Sequence, residues 1–268
     1  MTLLKRTATA IVLLGSLYVI VRHFPQWAFF LFGQVFIVAA LLELYALAER
    51  KGLHPRKVLG AGLTLLVGLS FYLPSLPLDA ALFAGLLAAG VLFVAATDSA
   101  EKLDRFPAAF AVTLFGAVYL GFTLNFLYRT RLEYGPFTLF FLFTVVFLGD
   151  TGAYFIGKPF GRHKMTPVAS PHKSWEGSAG GVLFALAGAV LARWIFKLDV
   201  PLGTALLTAV VVDAAAQVSD PLESLFKRAV GVKDSSNALP GHGGFLDRID
   251  SLILAGPLFY FIVKYLWK

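Results

Sequence analysis

Long apolar stretches, interrupted by Pro, Gly and charged residues, run along the whole chain of 268 residues. A transmembrane helix needs about 20 predominantly apolar residues, and nine stretches approach that length. The pattern therefore predicts an all-α, polytopic integral membrane protein with about nine transmembrane helices. The nine stretches are 7–21, 25–48, 58–73, 78–97, 107–128, 136–157, 178–196, 201–220 and 247–267.

The first and third stretches are shorter than a full crossing, so each is expected to tilt little, to extend into its flanks or to be re-entrant. The first also resembles the apolar region of a signal peptide behind Lys5 and Arg6. However, the large residues 18–20 followed by Arg22 provide no small-residue cleavage site. We therefore expect a retained span.

Composition supports a membrane protein. The chain is 58% hydrophobic and 15% charged, whereas soluble domains carry about 25% charged residues. With no cysteine, disulfides, Cys-ligated zinc, iron–sulfur clusters and cysteine nucleophiles are excluded. No internal repeat or linker is recognisable, which disfavours an inverted-repeat transporter. We expect one integral membrane domain over 1–268.

The formal net charge of +7 predicts topology rather than nucleic-acid binding, because the basic residues lie in short loops between apolar stretches. With nine spans, 16 of the 23 Lys and Arg residues fall on the side of the N-terminus. The positive-inside rule then predicts an inner-membrane protein with a cytoplasmic N-terminus and an outward C-terminus. The seven on the opposite side are Arg22, Arg129, Arg131, Arg193, Lys197, Lys264 and Lys268.

Ionisable residues within apolar stretches are costly and hence informative; they are Glu43, Asp150, Asp213 and Asp220. Glu43 stands alone, and we interpret it as a helix-end acid that reaches the interface or pairs with Arg50. Asp150 precedes a basic loop in LGDTGAYFIGKPFGRHK, which favours a functional role. The small residues beside it, Gly149 and Gly152, are typical of close helix packing.

The segment SPHKSWEGS (170–178) places small, basic and acidic residues at the start of an apolar stretch. Ser174 is suited to cap the helix, and Glu176 is favourable at its positive end. A helix start beside Lys173 and hydroxyl groups is also suited to bind phosphate. The two interpretations are compatible.

Acidic residues are densest over 217–250. Asp220 and Glu223, like Asp247 and Asp250, are three residues apart, so each pair projects from one helix face and can present oxygens to a hard cation such as Mg²⁺. Lys227 follows Glu223 by four residues, so an intrahelical salt bridge competes for that acid. Pro221 lacks an N–H group and is expected to free the carbonyl of Gln217.

Basic residues surround these acids, and His242 lies in a glycine-rich turn, PGHGG. Carboxylates for Mg²⁺ together with Lys and Arg for phosphate oxygens are the components of phosphoryl or nucleotidyl transfer. His242 is either a loop residue without a function or a proton or phosphate contact. One histidine without cysteines disfavours zinc. The four cations are Lys227, Arg228, Lys233 and Arg248.

The same residues resemble the signature of the phosphatidate cytidylyltransferase (CDP-diacylglycerol synthase) family. The stretches DTGAYFIGKPFGRHK and SPHKSWEG resemble further blocks of that family, so the similarity covers 136–268, while 1–130 carries no recognised motif. Ser219 replaces the usual glycine, which is expected to strain a close helix contact. The repeated-Asp pattern of CDP-alcohol phosphotransferases is absent. The matched residues are Ser224, Lys227, Arg228, Lys233, Asp234, Pro240, His242, Gly243, Gly244, Asp247, Arg248 and Asp250.

The resemblance implies a nucleotidyltransferase that converts CTP and phosphatidic acid to CDP-diacylglycerol and pyrophosphate in the bilayer. It implies a Mg²⁺ held by Asp220, Asp247 and Asp250, with Glu223 as a further metal-binding residue, and two-metal sites suggest a second cation by analogy. Lys227 and Arg228 are expected to act with these acids in catalysis. A homo-oligomer is compatible with this interpretation. The expected substrate contacts are Lys173, Ser174, Glu176, Ser224, Lys233, Asp234, His242, Arg248 and Asp150.

Two alternatives from other classes remain. A secondary transporter for an anionic metabolite would also place buried acids beside basic partners. A membrane scaffold without activity is the weaker alternative, because a scaffold does not need carboxylates at fixed spacing. Pyrophosphate release from CTP would distinguish the enzyme from both.

Overall fold

A computed structural model describes residues 15–239, 241 and 243–267. A short antiparallel hairpin, β1 (Lys164–Thr166) and β2 (Ser170–Ser174), lies between α7 and α8. A π-helical segment, Ala117–Phe122, joins α5 to α6. The helices are α1 (described over 15–23), α2 (Gln26–Arg50), α3 (Lys57–Tyr72), α4 (Leu78–Ala96), α5 (Ala100–Gly116), α6 (Thr123–Tyr134), α7 (Pro136–Phe160), α8 (Trp175–Ile195), α9 (Leu202–Ala229), α10 (Leu246–Ile249) and α11 (Leu252–Leu266).

Within these residues, seven helical segments are long and apolar enough to cross a membrane. They are α2, α4, the continuous α5–α6 segment, α7, α8, α9 and the α10–α11 segment. The polytopic all-α class is thereby confirmed, with the hairpin as an addition. The count of nine is not confirmed, because α3 has only 16 residues and the stretch 7–21 lies largely outside the described residues.

Two helices extend well beyond the apolar stretches that predict them. α9 continues past residue 220 through Pro221 to Ala229, with Lys227 and Arg228 in its last turn, where cations are favourable. α5 begins at Ala100 behind the N-cap Ser99. Hydropathy detects only the apolar part of a helix, so these polar ends were missed. Both helix ends therefore carry charged residues that lie beyond the apolar stretches.

Close helix packing builds the second half of the chain. A Cβ atom on Gly152 of α7 would collide with Phe184 and with the Gly180 carbonyl oxygen of α8, so only glycine permits this approach. A Cβ on Gly149 would likewise collide with Asp213 of α9. The packing role predicted for both glycines is confirmed, and α7, α8 and α9 meet around a polar interior.

Candidate active site

One face of α9 carries the polar residues of the site. Asp213, Gln217, Asp220, Glu223 and Lys227 follow one another at helical spacing. Asp213 and Glu223 are 1% and 0% exposed. The Gln217 amide donates to Asp213 Oδ2 at 2.6 Å. Five polar or charged side chains therefore lie along one face of a helix that is long and apolar enough to span a membrane.

Lys227 connects this face to α10. Its Nζ lies 2.7 Å from Asp247 Oδ1 and also contacts Glu223 Oε2 as an ion pair. The predicted intrahelical pair of Glu223 and Lys227 is confirmed. Both Glu223 oxygens are buried without a hydrogen-bond partner, so the ion pair with Lys227 is the contact that compensates the charge of Glu223 among the described residues.

Asp247 organises the loop that precedes it. Its Oδ2 accepts hydrogen bonds from the Ser235 N–H (2.9 Å), the Ser235 hydroxyl (2.8 Å) and the Gly244 N–H (2.7 Å). Gly243 has φ +80°, a conformation that favours glycine. Because Lys227 occupies Oδ1, both Asp247 oxygens are engaged.

Asp220 faces the hairpin instead. Lys173 of β2 places its Nζ 2.8 Å from Asp220 Oδ2, and both side chains are about one quarter exposed. The Ser224 hydroxyl lies 3.4 Å from Asp220 Oδ1, a long contact. The hairpin therefore brings a cation to the acidic face of α9.

A serine links two further acids across helices. The Ser251 hydroxyl lies 3.2 Å from Asp150 Oδ2 of α7 and 3.4 Å from Asp250 Oδ1. Asp250 is close enough to Asp220 and Glu223 for their charges to repel. Asp150 is exposed, and Asp220 and Asp250 are half-buried, so all three carboxylates are accessible.

Glu43 of α2 also reaches the site, which the sequence analysis missed. Its Oε1 accepts from the Ser236 hydroxyl (2.6 Å) and the Phe245 N–H (3.0 Å). Its Oε2 accepts from the Ser235 hydroxyl (2.9 Å) and the Leu246 N–H (2.8 Å). The expected pairing with Arg50 was wrong, because a buried carboxylate needs donors and this loop supplies them, one of which, the Ser235 hydroxyl, is shared with Asp247. The position at the interface stays a prediction.

Comparisons with known proteins identify the family of this chain. The sequence model of the Cytidylyltransferase family matches residues 4–266. The chain belongs to this family. A phosphatidate cytidylyltransferase of Staphylococcus epidermidis is 36% identical over 228 residues, which is 83% of this chain and 86% of the relative.

Other relatives with the same name align with the chain over shorter stretches. One from Bacillus subtilis is 39% identical over 55% of each chain. One from Haemophilus influenzae is 44% identical over 50% of this chain and 52% of its own. The recognised resemblance is confirmed, and this family member is a nucleotidyltransferase.

Several residues predicted to bind substrate have structural contacts in this family member. Ser174 caps α8, accepting the Gly177 N–H at 3.1 Å, so its predicted capping is confirmed. Glu176 accepts backbone N–H groups of Arg162 (3.1 Å) and His163 (3.2 Å). It thus holds the segment between α7 and the hairpin, and its contact with substrate stays a prediction.

The predicted cations differ in how far they are already engaged. Arg228 donates to the carbonyl oxygens of Ala169 (3.3 Å) and Val232 (2.8 Å). Lys233, Asp234 and Arg248 are exposed. Pro240 and His242 lie outside the described residues. Lys233 and Arg248 are therefore the accessible cations of the signature segment, whereas Arg228 ties α9 to the hairpin loop.

Ser219 does not simply crowd its helix contact. It is fully buried, donates its hydroxyl hydrogen to the Asp250 carbonyl oxygen and accepts the Leu254 N–H at 3.3 Å. The expected strain at this helix contact stays a prediction. Ser219 joins α9 to the junction of α10 and α11.

The acidic side chains of the site suit a hard cation that takes its remaining ligands from the substrate. Within the described residues, no three acidic or histidine side chains converge closely enough to hold a metal ion alone. Mg²⁺ is usually bound through one or two carboxylates plus phosphate oxygens and water. Asp220 and Asp250 provide two mutually repelling carboxylates, and Glu223 adds two buried oxygens without a hydrogen-bond partner, one of which is ion-paired with Lys227. The residues fit Mg²⁺ together with a polyphosphate.

Proposed function

We propose that this family member transfers the cytidylyl group of CTP to phosphatidic acid, forming CDP-diacylglycerol and pyrophosphate. The observation that carries the proposal is the group of accessible acids Asp150, Asp220 and Asp250, of which Ser251 joins two and Lys173 contacts the third. Such a site attracts cations, and cations make it attractive to a polyphosphate. The names of the relatives support the choice of CTP and phosphatidate.

The reaction needs charge compensation more than proton transfer. A phosphate oxygen of the lipid attacks the α-phosphorus of CTP, and the bond from that phosphorus to the β-phosphate oxygen breaks. Pyrophosphate leaves with the electron pair of that bond. No general base is required, because a phosphate monoester is largely ionised near pH 7. The residues have to bring two anions together.

Asp220 and Asp250 are proposed to hold Mg²⁺, which supplies positive charge between the two substrates when bound. Lys173 can turn from Asp220 to a phosphate, because both side chains are partly exposed. Lys233 and Arg248 are exposed and suited to phosphate oxygens. Asp247 as a third metal ligand, and a second cation, stay predictions.

An apolar groove beside the hairpin is proposed to receive an acyl chain of the lipid. It has a volume of about 390 Å³. It adjoins Asp220 through Pro221, so a chain lying there would place its headgroup near the carboxylates. The apolar lining includes Met165, Val168, Val218, Pro221, Leu222 and Leu225.

We propose a location in the inner membrane with this site facing the cytoplasm. The two basic loops assigned to the cytoplasmic side, 158–173 and 227–248, meet through Arg228 and Ala169. This contact supports their placement on one side of the membrane. The excess of positive charge in these loops favours the cytoplasmic side.

The test is a two-substrate assay on the full chain in detergent. Purified protein with CTP, phosphatidic acid and Mg²⁺ should release pyrophosphate and CDP-diacylglycerol in equal amounts, and EDTA should stop the reaction. Omitting phosphatidic acid should abolish release. Uptake of an anion into proteoliposomes without CTP turnover would instead support the transporter. Folded protein lacking both activities would support the scaffold.

A further inference from the structure

Glu43 lies in the half of the chain without a recognised motif. Its hydrogen-bond partners nevertheless all lie in the stretch that resembles the family signature: Ser235, Ser236, Phe245 and Leu246. Each of its oxygens accepts one hydroxyl and one backbone N–H. The carboxylate is 9% exposed. Among the described residues it pairs with no cation, so its contacts serve to position backbone and hydroxyl groups rather than to neutralise charge.

Aromatic and steric contacts reinforce this attachment. The Phe36 ring of α2 packs edge-to-face on Phe245, with centroids 5.0 Å apart. A Cβ atom on Gly244 would collide with Glu43 Oε2 and with Ser235 Oγ. The turn therefore fits against α2 only because residue 244 is glycine and because residue 43 offers two acceptor oxygens.

Ser235 extends the effect of Glu43 to Asp247. Its hydroxyl oxygen lies 2.9 Å from Glu43 Oε2 and 2.8 Å from Asp247 Oδ2. Asp247 in turn holds Lys227, which contacts Glu223. The Ser235 hydroxyl has one hydrogen, so it donates to only one of these two carboxylates at a time, and Glu43 and Asp247 compete for it.

We propose that Glu43 is a positioning residue for the nucleotidyl transfer: it fixes Ser235, Ser236 and the backbone of residues 245–246 so that Asp247 holds Lys227 on the acidic face of α9. The inference rests on the proposed function, because its test measures that reaction. Among the described residues, the Glu43 carboxylate accepts hydrogen bonds only from residues 235, 236, 245 and 246, none of which is proposed to contact the lipid. We therefore expect Glu43 to affect turnover more than lipid affinity. The first half of the chain thereby contributes to the site.

The test compares Glu43→Gln with Glu49→Gln, a matched change on the same helix at an exposed ion pair with Lys57. Glu43→Gln replaces one acceptor oxygen by an amide nitrogen that cannot accept from its two donors. We expect kcat to fall by about tenfold or more with the KM for phosphatidic acid changed less than about twofold. Glu49→Gln should match wild type.

A double-mutant cycle separates positioning from loss of fold. Ser235→Ala removes the hydroxyl between the two carboxylates with little loss of volume. If Glu43 acts through Ser235 and Asp247, Glu43→Gln should reduce kcat less in the Ser235→Ala background than in wild type. Multiplicative losses, or unchanged kcat in Glu43→Gln, would overturn the inference. If Glu43→Gln does not fold, unchanged kcat in Ser235→Ala would overturn it equally.

The outcome also separates this inference from the proposed function. Wild type and Glu49→Gln report whether the chain turns over CTP and phosphatidic acid at all. If neither does, the proposed function fails. If both turn over the two substrates and Glu43→Gln is as fast as wild type, only the positioning role of Glu43 is refuted.

Discussion

Two groups of carboxylates in this site differ in how fully the protein satisfies them. The Glu43 network, defined as Glu43, Ser235, Ser236 and Asp247, surrounds two carboxylates with N–H, hydroxyl and ammonium donors. The open carboxylates, defined as Asp150, Asp220 and Asp250, receive few donors, some at 3.2–3.4 Å. The first group stabilises a loop, and the second leaves oxygens available.

The difference shows why residue type alone does not reveal a role. A buried carboxylate whose oxygens accept hydrogen bonds stabilises the fold, and removing the donors lowers the free energy of unfolding. Repelling carboxylates lower stability, more strongly where water is scarce. Their presence is understandable where a cation binds during the reaction. Substitutions in the two groups should therefore separate activity from stability.

The largest effect on activity is expected at the open carboxylates. Asp220→Asn and Asp250→Asn should each lower turnover by about 100-fold or more, because each removes a charge proposed to hold Mg²⁺. Melting temperature should stay the same or rise in Asp250→Asn, since repulsion between the two acids is relieved. In Asp220→Asn the loss of the ion pair with Lys173 offsets this gain. The measurements are pyrophosphate release across a Mg²⁺ titration and thermal unfolding.

The matched control is Asp98→Asn, an exposed acid paired with Lys102 at 2.7 Å. It should leave turnover and its Mg²⁺ dependence unchanged. Near-normal turnover in both Asp220→Asn and Asp250→Asn would refute the assignment of these residues to the cation. A large loss of stability would place them in the satisfied group instead.

The largest effect on stability is expected at Lys227. Lys227→Met keeps most of the side-chain volume but leaves Glu223 buried without its cation. Breaking a buried pair in this way costs about 3–5 kcal/mol of unfolding free energy. Turnover should fall as well, because Asp247 loses its partner. Thermal unfolding in detergent, followed by circular dichroism, measures the loss.

Lys57→Met provides the comparison, because its pair with Glu49 is exposed at both ends. Exposed pairs contribute about 0–1 kcal/mol, so its melting temperature should be close to that of wild type. Equal melting temperatures for Lys227→Met and Lys57→Met would show that the Glu223 contact contributes little. The distinction between satisfied and open carboxylates would then lose its energetic basis.

Local spacing predicted one part of the site, and contacts distant in sequence determined the other. The pair of Glu223 and Lys227 followed from helical periodicity, as did the capping by Ser174. The contact of Glu43 with the Leu246 N–H joins residues separated by 203 positions. No local pattern encodes such a contact, so Glu43 resembled an isolated helix-end acid.

The fold likewise has features that local sequence predicts and features that it does not. Apolar length predicted the membrane class because each span has to be long and apolar in itself. The ends of α9 and α5 were missed because their polar turns lie beyond the apolar stretches. The hairpin was missed because β1 has three residues and β2 has five, too few for an alternating pattern to be recognised.

The smallest effect is expected at Ser219, which attaches the backbone of Asp250 rather than its carboxylate. Ser219→Gly removes the hydrogen bond to the Asp250 carbonyl oxygen and the acceptor for the Leu254 N–H, and it adds the entropy cost of a helical glycine. We expect a loss of about 1–2 kcal/mol of unfolding free energy. Turnover should stay within about threefold of wild type, since the Ser251 N–H still holds the carboxylate at 2.7 Å. Ser219→Ala is the control, because it loses the hydroxyl but not the helix propensity. A glycine variant more stable than wild type would show that the serine strains this contact after all.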